Sequence, residues 1–242
     1  MALPHDRSGL LWNDGPTARF TKSMERWINA MYSDDPSDTD VITAGQSVSR
    51  IIAKEDGVLS GRPVLDYLIE NYCNGATTEW NFIEGQGFEK GQEIASIVAK
   101  SDEILKIERI CMNLITRLSG IASTTSKWSE QLGGVFLAAT RKTNWGVLDK
   151  WAVHIGGGLT HRLDRSDGLM IKENDFSMSK LTLEEILSTF RTATDFPVIE
   201  VVSSDQALSV ANSWIELQSG LPTTYQLTCL LYTSDAADER RR

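Results

Sequence analysis

Three short stretches of this chain carry the residues best suited to chemistry. ATRKT places Arg141 and Lys142 directly after the strand-like run VFLAAT, residues 135–140. HIGGGLTHRL, residues 154–163, sets three consecutive glycines ahead of His161 and Arg162. DGLMIKEND puts Lys172 directly after a second strand-like run, 167–171, and Glu200 lies late in a third, FPVIEVV, 196–202. Guanidinium groups grip planar anions through paired hydrogen bonds, and ammonium groups add point charge. Cations with one carboxylate therefore suit a multiply anionic substrate together with a metal or a hydroxylated sugar. Residues 141–172 hold six Lys/Arg against three Asp, a local excess of +3 in a chain of formal net charge −9. Taken singly, each cation reads as readily as a solvated strand-end charge, and His161 as a packed or surface histidine. The glycine triplet alone is a chain reversal, because helices commonly end at glycine.

The elements that must position these residues follow from periodicity. Phe20, Met24, Trp27, Ile28 and Met31 recur at helical spacing over 16–32. SVSRIIAKEDGVLSG (47–61) alternates like a strand, PVLDYLIENY (63–72) is a short helix, and 77–99 reads as strands joined by glycine turns. From Asp102, apolar residues at Ile104, Ile107, Cys111, Leu114 and Leu118 mark a long amphipathic helix. Asp102 and Glu103 suit its N-terminal turn, where the helix dipole favours negative charge. Beyond it, strands at 135–140, 167–171, 196–202 and 223–231 alternate with helices carrying Leu148, Trp151, Ala152 and Ile155, then LTLEEILSTFRTA, then DQALSVANSWIEL. That alternation predicts parallel βα units. In such folds ligands bind at the carboxyl ends of the strands, where Arg141, Lys142 and Lys172 fall.

Composition narrows the function classes. An apolar content of 41% and a charge content of 24% describe a globular protein of one or two domains. The acidic balance argues against general nucleic-acid binding. No apolar run reaches the roughly 20 residues that span a bilayer, and the first residues lack the apolar stretch of a signal peptide. Cys73, Cys111 and Cys229 are scattered and have no metal-ligand spacing, which predicts reduced thiols in a cytoplasmic protein. The glycines at 85, 87 and 91 read as hairpin turns rather than a dinucleotide loop. No GxSxG, Cys–His pair or HExxH run occurs, which removes serine, cysteine and zinc hydrolase readings.

In order, ERICMNLITRLSGIAST, ATRKT, KWAVHIGGGLTHRL and DGLMIKEND closely resemble the quinolinate phosphoribosyltransferases, also called nicotinate-nucleotide pyrophosphorylases (carboxylating). IIAKEDGVLSG and GQGFEKGQEIASI look like that family's N-terminal domain, so the resemblance covers about residues 15–215. It implies an α/β fold, with an N-terminal α+β sandwich-like domain (1–107) followed by an α/β barrel-like catalytic domain (108–228), incomplete here. The implied reaction joins quinolinate to phosphoribosyl pyrophosphate with magnesium, giving nicotinate mononucleotide, carbon dioxide and pyrophosphate in NAD synthesis. Carried over by motif, Arg141, His161, Arg162 and Lys172 would hold the dicarboxylate, and Lys142 would lie between it and the donor. Arg109 would reach the partner's site in a homodimer, or in a larger oligomer built on it. Read from the helix alone, Arg109 is a solvated charge on the polar face. Glu200 would be the acid near ribose or metal, stabilising positive charge at the anomeric carbon.

Two departures accompany the resemblance. The stretch after RKT, NWGVLDKWAV, is shorter than in many family members. The family's metal-associated Asp in an LDN strand end has no counterpart in TTYQLTCLL, and Asp235 does not take its role. The expectation is of a chain cut off near 228 with a non-native tail over 229–242. The strand near 224–231 would then be an exposed apolar edge, and the chain as it stands would have little or no activity. Alternatives are a related phosphoribosyltransferase acting on nicotinate or linked to molybdenum uptake, and a non-catalytic anion-binding protein on the same fold.

Overall fold

In the computed structural model the described residues are 6–35, 45–172, 175, 178–193, 197–219 and 228–231. The chain divides into two compact units, His5–His161 and Arg162–Arg242, the latter with Met1–Pro4. Residues 232–242, most of the proposed tail, lie outside the described residues.

In His5–His161, helix α1 (Ala18–Asp34) starts at Thr17, whose side chain accepts a hydrogen bond from the Phe20 N–H. Its buried face is Phe20, Met24 and Ile28, one apolar position per turn. Strands β1 (Gln46–Ile52), β3 (Thr77–Trp80) and β5 (Glu93–Lys100) form an antiparallel sheet in the order β1-β5-β3. Two short strands, β2 (Gly57–Val58) and β4 (Gly87–Phe88), pair separately, and helix α2 (Arg62–Tyr72) buries Val64, Leu65, Leu68 and Ile69. Gly85 and Gly91 lie in turns on either side of β4, and Gly87 opens that strand. No consecutive strands pair here, so these turns are not the hairpins expected from the sequence.

Helix α3 spans Ser101–Gln131, about 46 Å at 1.5 Å per residue. Its buried stripe runs through Ile107, Ile110, Cys111, Leu114, Leu118, Ala122 and Thr125. The helix continues well past the apolar repeat. In its Ser/Thr-rich second half Ser123, Thr124 and Thr125 return their hydroxyls to the carbonyls of Ser119, Gly120 and Ile121, at 2.6, 2.8 and 2.8 Å. This satisfies the hydroxyls without their capturing the N–H groups of the helix ladder.

In Arg162–Arg242, strands β6 (Met170–Ile171), β7 (Val198–Val201) and β8 (Thr228–Leu231) pair in parallel in that order. Helices α5 (Leu183–Ala193) and α6 (Ser204–Gln218) connect them. Leu187, Ile199, Val201, Val210 and Trp214 make the core. Ser203 caps α6 by accepting from the Gln206 N–H at 3.1 Å, while Gln206 accepts from the Val202 N–H at 2.8 Å. The mixed α/β architecture agrees with the sequence, and no closed barrel forms among the described residues.

Two expected strands are shorter than the sequence suggests. VFLAAT contributes only a parallel bridge of Ala138 to Leu159, and Val135 and Phe136 are exposed. DGLMI keeps only Met170 and Ile171, because its earlier residues are engaged elsewhere. The Asp167 carboxylate accepts from the Leu163 N–H, and the Gly168 carbonyl accepts from Arg162.

Cys73 and Cys111 are buried free thiols. Burial pushes the Cys73 thiol up to about 11 and Cys111 to about 12, against an ordinary value of 9.0. The folded state thus holds these protons more tightly than the unfolded chain. The resulting stabilisation is fully present below about pH 9 and is lost as pH rises through the folded values. A thiol reagent at pH 8 is expected to leave both cysteines unmodified until denaturant is added. Urea midpoints are expected to fall above pH 9.

Candidate functional site

The candidate site in His5–His161 is organised by helix α4 (Val147–Ile155), which is tied to α3 at both of its ends. At the N-terminal turn, the buried Asp149 accepts from Arg117 Nε and Nη2 of α3 at 2.9 and 2.7 Å. The same carboxylate accepts the backbone N–H groups of Asn144 and Trp145 at 2.9 and 3.1 Å. The Arg117 guanidinium lies 4.8 Å from the Trp145 ring centroid, and its hydrogen bond to Asp149 raises its pKa. Midway along α4, Trp151 donates from Nε1 to Glu84 at 3.0 Å and stacks on Trp12. Glu84 also accepts from the N–H groups of Gly61 and Arg62 at the start of α2. Burial raises the Glu84 pKa, and these hydrogen bonds oppose the rise.

The glycine triplet ends α4. Gly157, at φ +88°, donates its N–H to the His154 carbonyl, and the Gly158 N–H returns to Val153, each at 2.9 Å. These two bonds make a Schellman motif, which satisfies carbonyls a helix end would otherwise leave open. Gly156 answers a different need. A Cβ there would sit 2.3 Å from the Ala122 carbonyl oxygen of α3, so the two backbones touch. The triplet therefore reverses the chain against α3, and its N–H groups form no phosphate cradle in doing so.

After the reversal, Leu159 pairs in parallel beside Ala138: the Leu159 N–H reaches the Leu137 carbonyl at 2.7 Å, and the Ala139 N–H reaches the Leu159 carbonyl at 2.8 Å. Beyond this bridge Arg141 and Lys142 follow two and three residues past Ala139, and His161 follows two residues past Leu159. Thr160, fully buried, accepts from the Arg7 N–H at 2.6 Å. His161 follows at φ +52°, in the left-handed region that a histidine enters at a cost of about 1 kcal/mol or more. Arg141 and Lys142 are exposed, and His161 is half-buried. Arg109 is exposed on α3, as its helical position implies.

In Arg162–Arg242, Arg162 is buried and donates from Nη1 to the Gly168 carbonyl at 2.8 Å, and from Nη2 to Met170 Sδ at 3.3 Å. Lys172 follows β6, and the β6–β7 register sets it beside Glu200, Nζ to Oε2 3.3 Å. The Lys172 side chain is half exposed, so this pair is worth no more than about 1 kcal/mol, and the ammonium can exchange its partner.

A quinolinate phosphoribosyl transferase C-terminal domain model matches residues 121–217, and the corresponding N-terminal domain model matches 38–119. A quinolinate phosphoribosyltransferase [decarboxylating] 1 of Nicotiana glauca is 31% identical over 171 residues, 67% of this chain and 49% of that protein. A probable nicotinate-nucleotide pyrophosphorylase [carboxylating] of Archaeoglobus fulgidus is 35% identical over 167 residues, 66% of this chain and 64% of that one. The crystal structure of NadC from Streptococcus pyogenes superposes with a TM-score of 0.74 at 24% identity, covering 93% of this chain and 88% of its own, a likeness of fold. The chain belongs to the quinolinate phosphoribosyltransferase family. It spans about half the length of the plant relatives it matches.

Sequence reasoning missed Arg117, Asp149, Lys150 and Thr160, which act behind the site. Arg117 and Asp149 read as ordinary helix charges, and only their bidentate pairing, 32 residues apart, gives them meaning. Lys150 left a faint signal, as a lysine between Leu148 and the apolar pair Trp151–Ala152.

Gly156→Ala is expected to destabilise the protein by about 3 kcal/mol in urea unfolding, because the added methyl overlaps the Ala122 carbonyl. Gly120→Ala meets open space within helix α3 and is expected to stabilise by about 1 kcal/mol.

Proposed function

We propose that the chain carries the acceptor-binding machinery of phosphoribosyl transfer to quinolinate, with decarboxylation to nicotinate mononucleotide, carbon dioxide and pyrophosphate. The observation that supports this reading is the single parallel bridge of Ala138 to Leu159, with Arg141, Lys142 and His161 following within four residues of it on the two paired segments. Arg141, His161, Arg162 and Lys172 would bind the two carboxylates, and Lys142 would face the phosphoribosyl donor. The pyridine nitrogen displaces pyrophosphate at the anomeric carbon, where positive charge develops. Glu200, a carboxylate with only 12% of its side chain exposed, is suited to stabilise that charge. Loss of the 2-carboxylate as carbon dioxide leaves its electron pair on the ring carbon beside the now cationic nitrogen, and a proton from water completes nicotinate mononucleotide. Orientation and electrostatics supply the rate, and no covalent nucleophile is needed.

Magnesium usually binds through one or two carboxylates and substrate phosphate oxygens, and one partly buried carboxylate, Glu200, is available for that role. Glu200 would be its protein ligand, and the ion would neutralise charge on the departing pyrophosphate. A homodimer in which Arg109 reaches the partner's site is part of the same reading, and the exposure of Arg109 on α3 is compatible with it. No helix among the described residues is long and apolar enough to cross a membrane. Cytoplasmic residence belongs to the proposal. It rests on the scattered cysteines, while plant relatives are named chloroplastic or mitochondrial.

The test is calorimetric titration of the chain with quinolinate, beside single-turnover release of labelled carbon dioxide from carboxyl-labelled quinolinate with or without phosphoribosyl pyrophosphate and magnesium. Quinolinate binding weakened at least about tenfold in Lys172→Ala, with little or no donor-dependent release by the chain as it stands, is the expected result. Binding that Lys172→Ala leaves unchanged would remove Lys172 from the site, and robust release would overturn the expectation of low activity. Binding no tighter than that of an unrelated dicarboxylate would favour the anion-binding alternative.

A further inference from the structure

Lys150 is the one lysine among the fully buried side chains of the described residues, only 1% exposed on helix α4. Burying an ammonium is unfavourable unless its hydrogens find acceptors. Lys150 Nζ donates to the Thr160 carbonyl at 2.7 Å and, more weakly, to the Ala139 carbonyl at 3.4 Å. These two carbonyls belong to the two parallel-paired strand ends. Ala139 lies two residues before Arg141, and Thr160 immediately precedes His161. The ammonium therefore bridges the backbone just behind Arg141 and His161, two of the residues assigned to the dicarboxylate.

Thr160 is held from a second direction. Its Oγ1 accepts from the Arg7 N–H at 2.6 Å and donates to Asp6 Oδ1 at 3.4 Å. Directly after this doubly held residue the chain enters the left-handed conformation at His161, φ +52°. A strained non-glycine residue persists only where its surroundings over-determine it. Lys150 and the Asp6–Arg7 segment supply that constraint on the N-terminal side of His161. Helix α4, in turn, is anchored to α3 through Asp149 and Gly156, so the ammonium starts from a fixed base.

We propose that Lys150 is a positioning residue: its buried ammonium ties the carbonyls of Ala139 and Thr160, fixing His161 in its left-handed conformation and setting its distance from Arg141. The inference rests on the reading of His161 and Arg141 as quinolinate ligands. Its spectroscopic arm does not depend on that reading. Lys150 makes no contact with substrate in this scheme, and it acts by holding the backbone at one spacing.

The chain contains three histidines, so a histidine-labelled full-length sample reports on His161 with little overlap. Its resonances are assigned with His161→Gln and compared between the parent and Lys150→Met. Lys150→Met keeps the length of the side chain and removes the charge and the donors. Loss of the tether is expected to shift the His161 signals in the free protein. Calorimetric titration of folded protein with quinolinate is expected to show affinity weakened at least about tenfold. A merely structural lysine would lower the melting temperature and leave both readouts of the folded state unchanged, and that result would overturn the proposal. If Lys150→Met does not fold, Lys150→Gln, which keeps one amide donor group on a shorter stem, is measured with the same two outcomes. If the parent chain binds no quinolinate, the reading of the site fails, while an unshifted His161 in the variant would still refute the tether.

Discussion

Two backbones touch where Gly156 of α4 meets the Ala122 carbonyl of α3, and the rest of the candidate site is referred to that contact. No side chain can be interposed there, so the end of α4 has one position against the long helix. The other end is set by Arg117, which reaches the carboxylate of Asp149 through two donors. A short helix fixed at both ends leaves its connections little freedom. The loop before it is gathered by Asp149 at the N–H groups of Asn144 and Trp145, and the chain after it is returned by the Schellman turn. The parallel pairing of Ala138 and Leu159 follows from these two anchors rather than from strand propensity, since only one bridge forms.

Electrostatics explain why such rigidity is useful. Several cations near one another repel, and flexible ones would spread into water and screen themselves. Under the proposed reading, Arg141 and Lys142 held beside the bridged segment that carries His161 would retain a positive potential for a doubly charged planar anion to offset. The net charge of −9 keeps that potential local. Lys172 and Glu200 add a second feature in their own unit. A half-exposed ammonium paired with a more buried carboxylate can release to an anion without leaving an isolated buried charge.

The sequence was most informative where one periodicity governs many residues. Phe20, Met24 and Ile28 placed α1, and Ile107 to Leu118 placed the first half of α3. The last turns of α3, beyond Ser123, were not read from the sequence, because the apolar repeat stops at Leu118 and the hydroxyls that return to carbonyls one turn back give no periodic signal. VFLAAT has strand composition but finds pairing only at Ala138, and DGLMI loses its first residues to contacts with Arg162 and Leu163. The position of Lys172 directly after a strand was legible, and Arg141 and Lys142 follow a run that forms one bridge. The burial of Arg162 against Gly168 and Met170 was not legible, because the partners of a guanidinium are set by tertiary contacts. The residues behind the site were not legible for the same reason. Lys150 takes its meaning from two carbonyls 11 and 10 residues away in sequence.

The central claim is that these strand ends are arranged for two adjacent carboxylates on one aromatic ring. The most direct measurement compares, by calorimetry on the full chain at one ionic strength, the affinities of quinolinate, nicotinate and pyridine-2-carboxylate. The account predicts that quinolinate binds at least about tenfold more tightly than either monocarboxylate, since each monocarboxylate forfeits one charge-assisted contact. Equal affinities for all three would contradict it and would leave the cations as a general anion-attracting surface.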